Sequence, residues 1–196
     1  VAALMLVGVS TMNAQKGYEV PPLNEELKGM AQQVVEMQLT DPEGANKNFM
    51  KLLRKVRKDQ EGLLSVGDFF LENNDFGSAS YCAKTLYEVA PTYIPGLLFS
   101  AEVFMKAQNW GAAGQRYDEV LAQDSTNLYA LKRNAFVYKN INPYVAEEML
   151  ERIKRIDPSD YEADKELGDI AFNANAYPKA VKHYDSYYKA VPKDKE

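Results

Sequence analysis

The hydrophobic pattern predicts two consecutive helices between residues 61 and 90. In EGLLSVGDFFLEN, which begins at Glu61, apolar and small residues recur close to helical spacing at Leu64, Val66, Gly67, Phe70 and Leu71. The polar run 73–75 ends this helix. In GSASYCAKTLYEVA, small and apolar residues then recur three or four apart at Ala79, Ala83, Leu86 and Ala90, before Pro91 ends the second helix. One such hairpin cannot bury its apolar face alone, so we expect neighbouring hairpins to stack.

The same pattern repeats along the chain at a fixed period. FGSASYCAKTLYEVAP, WGAAGQRYDEVLAQDS, PYVAEEMLERIKRIDP and YPKAVKHYDSYYKAVP start 34, 33 and 34 residues apart, at Phe76, Trp110, Pro143 and Tyr177. Their fourth residues are Ala79, Ala113, Ala146 and Ala180, and the preceding stretches share small residues at Gly67, Ala101, Ala135 and Gly168. Self-similarity at this period is typical of a solenoid. The small residues, such as Gly67 and Ala79, predict that paired helices approach each other closely.

These repeated small residues, the aromatic or small residue between them and the proline after the second helix resemble the tetratricopeptide repeat family. The resemblance implies an all-α fold, a right-handed α-solenoid of stacked helical hairpins. We expect four repeat units within 60–196, at about 60–92, 93–126, 127–159 and 160–193. A divergent capping hairpin is expected at 15–59, where the small-residue pair and the proline are missing. We expect the array to continue past Glu196, because no polar capping helix follows the last unit.

The N-terminal stretch VAALMLVGVSTMNAQ has the apolar core and small-residue exit of a secretory signal peptide. We therefore predict a signal segment at 1–14 that is cleaved after Ala14 and lacks its basic start. This predicts an exported protein in the periplasm or cell envelope of a Gram-negative bacterium. A buried N-terminal helix is the alternative interpretation of the same apolar run.

Composition and single reactive residues argue against catalysis and cofactor binding. The chain is 46% hydrophobic and 26% charged with a net charge of -5, which fits an ordinary globular protein and disfavours general nucleic-acid binding. Cys82 and His183 are the single residues of their kinds, so neither a disulfide framework nor a zinc centre is expected. His183 also occupies the repeat position of Cys82, Arg116 and Met149, so the repeat does not require a histidine there. We expect no cofactor, no metal and no enzymatic activity.

The run KNFMKLLRKVRK is the sharpest charge feature of the sequence. Its basic residues are Lys47, Lys51, Arg54, Lys55, Arg57 and Lys58. Its apolar residues Phe49, Leu52, Leu53 and Val56 fall at helical spacing. We expect the apolar stripe to pack on the next hairpin, with membrane association limited to peripheral contact; the alternative is a basic amphipathic helix that binds anionic lipid or an acidic partner.

In the family that this chain resembles, the first helices of successive units line a concave groove that binds protein segments. The corresponding groove candidates here are Leu64, Asp68, Leu98, Glu102, Lys132, Phe136, Lys165 and Asp169. We therefore expect a non-catalytic scaffold with a protein or peptide partner, and homo-oligomerisation through an uncapped C-terminal face. Two alternatives stay open: a regulatory repeat segment of a larger envelope enzyme such as a protease, and a self-assembling structural component.

Overall fold

The computed structural model describes residues 16–191; the predicted signal segment 1–14 and Pro192 lie outside this range. Within it the chain forms ten α-helices and no strand. The helices are α1 Glu25–Met37, α2 Pro42–Val56, α3 Gln60–Glu72, α4 Phe76–Val89, α5 Ile94–Lys106, α6 Trp110–Gln123, α7 Leu128–Tyr138, α8 Pro143–Ile156, α9 Tyr161–Asn173 and α10 Tyr177–Ala190. None of these helices is long and apolar enough to cross a membrane.

Side-chain caps explain where several of the helices begin. The capping side chains belong to Asn24, Asp41, Asp59, Asp75, Asn127 and Asp160, and each accepts a hydrogen bond from a backbone N–H of the first turn. Each such bond satisfies a donor that the helix itself leaves open and stabilises the helix by about 1 kcal/mol. The short polar runs between apolar stretches therefore act as start signals as well as breaks.

The chain divides into two compact units, 1–119 and 120–196, with the division inside α6. In the first unit, α1 pairs with α2 and α3 pairs with α4, while α5 packs on both α3 and α4. In the second unit, α7 pairs with α8, α9 pairs with α10, and α9 also packs on α8. Each unit is thus built from helical hairpins in sequence order, and the apolar faces of those hairpins form its core.

The close helix approach predicted at Gly67 is confirmed. A Cβ atom at this position would lie 2.6 Å from Cζ of Phe99 and 2.9 Å from Cβ of Cys82, which is closer than non-bonded carbons pack. The second unit repeats this at Gly168, where a Cβ would lie 2.6 Å from Cε1 of Tyr184. The repeated small residue therefore makes room for an aromatic ring against the first helix.

The basic helix α2 packs its apolar stripe inward, as expected. Its core residues are Phe49, Leu52, Leu53 and Val56, all of which are buried. The ring of Phe49 makes edge contacts with Phe70 and Tyr81 at centroid distances of 5.5 and 5.7 Å. Because the apolar side chains are already covered, α2 does not offer an apolar face to a lipid surface.

Three of the intra-hairpin turns share one geometry. Asn74, Gln108 and Asn175 adopt positive φ angles of 59, 56 and 59°. In each turn the residue that directly follows donates its backbone N–H to a carbonyl near the end of the first helix; the pairs are Asp75 to Phe70, Asn109 to Phe104 and Ala176 to Ala171. This left-handed helix end satisfies carbonyls that the helix leaves open. The α7–α8 turn, residues 139–142, contains no positive φ and is one residue longer.

Candidate functional site

One repeat position on the first helices is mostly occupied by acidic residues. We call it the acid position; it is occupied by Asp68 in α3, Glu102 in α5, Phe136 in α7 and Asp169 in α9. Three of the four residues are acidic, and a carboxylate on a packed helix must find a hydrogen-bond donor or a cation. How each one is satisfied differs from hairpin to hairpin.

In two hairpins the second helix supplies a tyrosine. Tyr117 on α6 donates its hydroxyl to Oε1 of Glu102, and Tyr184 on α10 donates to Oδ1 of Asp169 at 2.8 Å. Each tyrosine follows its acid by 15 residues, so the bond is a repeated feature of the hairpin. Asp169 also faces Nζ of Lys139 at 3.3 Å. These acids are engaged within their own unit and stabilise the helix pairs.

The α3–α4 hairpin has no such tyrosine, because Ala83 stands at the corresponding place of α4. The donors to Asp68 come instead from residues 16–23, which we call the N-terminal strap. Lys16 Nζ lies 2.6 Å from Oδ2 of Asp68 and 2.6 Å from Oε1 of Glu72. The hydroxyl of Tyr18 donates to Oδ1 of Asp68 at 3.0 Å. An aspartate is therefore satisfied here from outside the hairpin.

The strap also touches α3 through its backbone. The Ser65 hydroxyl lies 2.7 Å from the carbonyl oxygen of Pro21 and 2.8 Å from that of Glu61, and it can donate its one proton to either. Tyr18 is only 5% exposed. Burial raises the pKa of the Asp68 carboxyl above its ordinary value, and the bonds from Lys16 and Tyr18 only partly oppose this. The pKa of Lys16 is raised too: burial would lower it, but the two carboxylates outweigh that effect. The lysine is therefore held in its charged form.

The α7–α8 hairpin replaces both partners by apolar residues, Phe136 and Leu150. A cleft of about 210 Å³ opens beside them in the second unit. Its residues are Lys132, Ala135, Phe136, Lys139, Leu150, Ile153, Asp160, Glu162, Ala163 and Glu166. Its walls are apolar and its rim carries charges of both signs, while Phe136 is 58% exposed. Lys132 is paired with Asp160, and Lys139 with Glu166.

The eight predicted groove residues fall into different environments. Leu64 and Leu98 are fully buried core residues, and Asp68 is covered by the strap. Lys132 and Phe136 lie together at the cleft, one helical turn apart. Lys165 is exposed, and its ammonium lies 5.9 Å from the ring centroid of Tyr187. The remaining two, Glu102 and Asp169, are bonded to tyrosines as described above.

The prediction missed the strap residues Lys16 and Tyr18. One signal in the sequence could have found them: the tyrosine that follows Glu102 and Asp169 by 15 residues is Ala83 in the first repeat. That absence leaves the acid Asp68 without its repeat partner. A donor from another part of the chain was therefore required.

The described residues contain no cluster of three or more His, Cys, Asp or Glu side chains that could hold a metal ion. His183 Nδ1 lies 3.4 Å from Oδ1 of Asp164, whose other oxygen is 2.7 Å from Lys154 Nζ, so this aspartate already has a cation. Cys82 is fully buried, and burial raises the pKa of its thiol to about 12. A thiol in that environment is a core residue and not a nucleophile.

Comparison with known proteins supports this architecture. Residues 142–195 match the model of the family described as tetratricopeptide repeat. A structure of MamA from residue 41 to its end, from Desulfovibrio magneticus RS-1, has 16% sequence identity, a TM-score of 0.65, and an alignment covering 86% of this chain and 97% of that chain. A second MamA structure has 17% identity, a TM-score of 0.67 and coverage of 85% and 93%. PilF of Pseudomonas aeruginosa has 16% sequence identity, a TM-score of 0.61, and an alignment covering 86% of this chain and 78% of that chain.

No curated protein sequence matches the chain at a significant level. The structural likenesses, all at low identity, show a shared fold and nothing about ligands. Together with the family match they confirm the predicted resemblance and the all-α solenoid fold of helical hairpins.

Proposed function

We propose that this tetratricopeptide repeat protein is a non-catalytic scaffold that binds an extended protein segment, with the cleft beside Phe136 as its main contact. Repeats of this family imply a protein-interaction scaffold. The observation that supports the cleft as the contact is the exposed Phe136 ring above apolar walls, in a hairpin where apolar residues replace both members of the acid–tyrosine pair. Exposed aromatic rings in such surroundings often dominate protein binding energies.

The size and rim of the cleft favour a protein segment over a small metabolite. A volume of about 210 Å³ accommodates one or two side chains and is smaller than the roughly 300–1,000 Å³ of typical small-molecule pockets. Lys132 and Lys139 on one side, and Glu162 and Glu166 on the other, present both signs of charge. An apolar side chain flanked by polar or charged residues would satisfy both parts of this surface.

The other groove candidates have different roles in this proposal: some extend the binding surface, and others support the fold. Lys165 and Asp169 extend the binding surface along α9. Leu64 and Leu98 are core residues that shape the first helices of their unit, so we expect them to support the fold and not to touch a partner. Glu102 is engaged by Tyr117.

Selection of binders from a displayed peptide library, followed by calorimetric titration, tests this proposal. We expect Phe136→Ala to weaken the selected peptide at least about tenfold, since truncating a central aromatic anchor costs roughly 2 kcal/mol or more. Phe172→Ala is the matched control, because Phe172 is also a first-helix aromatic of the second unit, 54% exposed, but does not line the cleft. Equal losses in both variants, or no enriched peptide, would contradict the cleft as the binding site.

Two finer parts of the proposal concern export and self-association. Export to the envelope of a Gram-negative bacterium follows from the predicted signal segment, and a native protein beginning at Gln15 would support it.

Self-association is favoured by apolar side chains on α10, of which Val181 and Tyr188 are 63% and 69% exposed. Sedimentation velocity checks this: a mass that does not rise with concentration would exclude self-association in the range tested.

A further inference from the structure

We propose that Ser65, Asp68 and Glu72, which we call the α3 face, form a second recognition site, and that the N-terminal strap is its internal occupant. The partner is an extended segment with a lysine and a tyrosine two residues apart, the spacing of Lys16 and Tyr18. This extends the proposed function, since it assumes that the chain binds protein segments. It uses a different unit, so its failure would leave the Phe136 cleft unaffected.

The chemistry of the α3 face defines this partner class. Two carboxylates, from Asp68 and Glu72, receive one ammonium group, and one of them also accepts a phenol hydroxyl. The Ser65 hydroxyl can donate to the backbone carbonyl of Pro21 in the strap, in exchange for the carbonyl of Glu61 one turn earlier in α3. The three side chains of the α3 face thus recognise a cation, a phenol and an extended backbone, and Asp68 contributes to the first two through different oxygens. Charge-assisted hydrogen bonds of this kind are the stronger ones in proteins.

The strap occupies the face as a bound peptide would. Residues 19–23 have no regular structure, and among the described residues no backbone–backbone hydrogen bond joins them to a helix. Pro21 and Pro22 lack an N–H and cannot form one as donors. Gly17 has a φ of 69°, a left-handed conformation that glycine adopts without strain, between the two side chains that reach Asp68. Side-chain hydrogen bonds and the burial of the Tyr18 ring hold the segment, and another segment with the same groups can make each of these contacts in its place.

The α3 face is also not completely filled by the strap. A cleft of about 510 Å³ runs along it, lined by Lys16, Val20, Pro21, Pro22, Leu23, Lys28, Ser65, Asp68, Phe69 and Glu72. Glu72 keeps 42% of its side chain exposed while it is paired with Lys16. The comparable acids Glu102 and Asp169 are held by tyrosines of their own hairpins, so this arrangement belongs to α3.

A label on the strap tests whether it can leave. Glu19 is exposed, and a dye on Glu19→Cys reacts selectively because the native Cys82 is buried. We expect Asp68→Asn to increase the mobility of this dye, measured by fluorescence anisotropy. The control Asp164→Asn removes a buried carboxylate that is paired with Lys154 in the second unit, and it should leave the mobility unchanged. An Asp68→Asn variant with the mobility of the parent would overturn the proposal.

Binding of a free peptide tests the recognition. The peptide KGYEVPPL, which copies residues 16–23, should bind the full chain carrying Lys16→Ala and Tyr18→Ala at least about tenfold more tightly than the parent, whose strap competes at a millimolar effective concentration. KGFEVPPL lacks the phenol hydroxyl and should bind about tenfold more weakly. Circular dichroism verifies that the variant is folded.

Two results would overturn the recognition site. The first is equal binding of KGYEVPPL by the parent and the strap variant, or by neither. The second is unchanged binding of KGYEVPPL by the strap variant after Asp68→Asn is added, since this would show that the peptide does not bind at Asp68. Loss of peptide binding in the strap variant on adding Asp68→Asn, with Phe136→Ala having no effect, would support it.

Discussion

The α5–α6 and α7–α8 hairpins occupy corresponding places in the repeat but use them differently. In α5–α6 the acid position is Glu102, its carboxylate is bonded to the fully buried Tyr117, and the turn contains the left-handed Gln108. In α7–α8 the same two positions are Phe136 and Leu150, the turn is longer, and a cleft lies between the side chains. One hairpin uses the positions for internal bonding, and the other leaves an apolar surface.

This difference shows how a repeat can acquire a binding surface without a change of backbone fold. The acid–tyrosine bond engages the carboxylate of a hairpin within the hairpin itself. Replacing both residues by apolar ones removes the bond and leaves side chains that water solvates poorly. Stability should therefore depend on the buried and bonded residues of the α5–α6 hairpin and hardly at all on the exposed Phe136 of the α7–α8 hairpin.

The largest effect is expected at Leu98. Leu98→Ala should lower the free energy of unfolding by about 2–5 kcal/mol, because it leaves a cavity at a fully buried position. Phe136→Ala removes a larger side chain but should cost less than about 0.5 kcal/mol, since most of the ring is exposed. Urea denaturation followed by circular dichroism measures both. Similar losses would mean that Phe136 belongs to the core and that the comparison is wrong.

A smaller effect is expected from the tyrosine hydroxyl alone. Tyr117→Phe should destabilise the protein by about 1–3 kcal/mol, because the half-buried carboxylate of Glu102 loses a donor. Tyr81→Phe provides the control, since Tyr81 is 46% exposed and should tolerate the loss of its hydroxyl. Thermal melting of the two variants separates them; if Tyr117→Phe matches the parent, the acid–tyrosine bond does not stabilise the hairpin.

The hairpin architecture was predictable from the sequence because repeated local signals specify it. Small residues such as Gly67 and Ala79, apolar spacing and Pro91 each act within one or two helical turns, and they recur in phase. The packing of the basic helix α2 followed from the same logic, because its apolar stripe continues the buried face. Local rules that agree at several levels specify a fold strongly.

The candidate sites were predicted less well because the repeat position of a residue does not determine its exposure. Leu98 and Lys132 occupy the same place, yet one is buried and the other is exposed. The role of the strap depends on contacts between residues about 50 positions apart, as between Lys16 and Asp68. Periodicity carries no information on such a pair, and only the missing tyrosine at Ala83 points to it.

The smallest effect is expected in the turns, where the comparison can be sharpened with glycine. Gln108 has a φ of 56° at a place where Asn74 and Asn175 stand in two other hairpins, and asparagine tolerates this conformation better than glutamine. Gln108→Gly should therefore stabilise the protein by about 0.5–1 kcal/mol, because relief of the backbone strain exceeds the added entropy of the unfolded chain.

Asn140→Gly in the α7–α8 turn is the matched substitution, since this exposed residue has no positive φ. There glycine relieves no strain and only increases the entropy of the unfolded chain, so we expect a loss of about 0.5–1 kcal/mol. Urea denaturation should thus give opposite signs for the two variants. Equal signs would show that the two turns store the same backbone energy, and the structural difference between the hairpins would then be confined to their side chains.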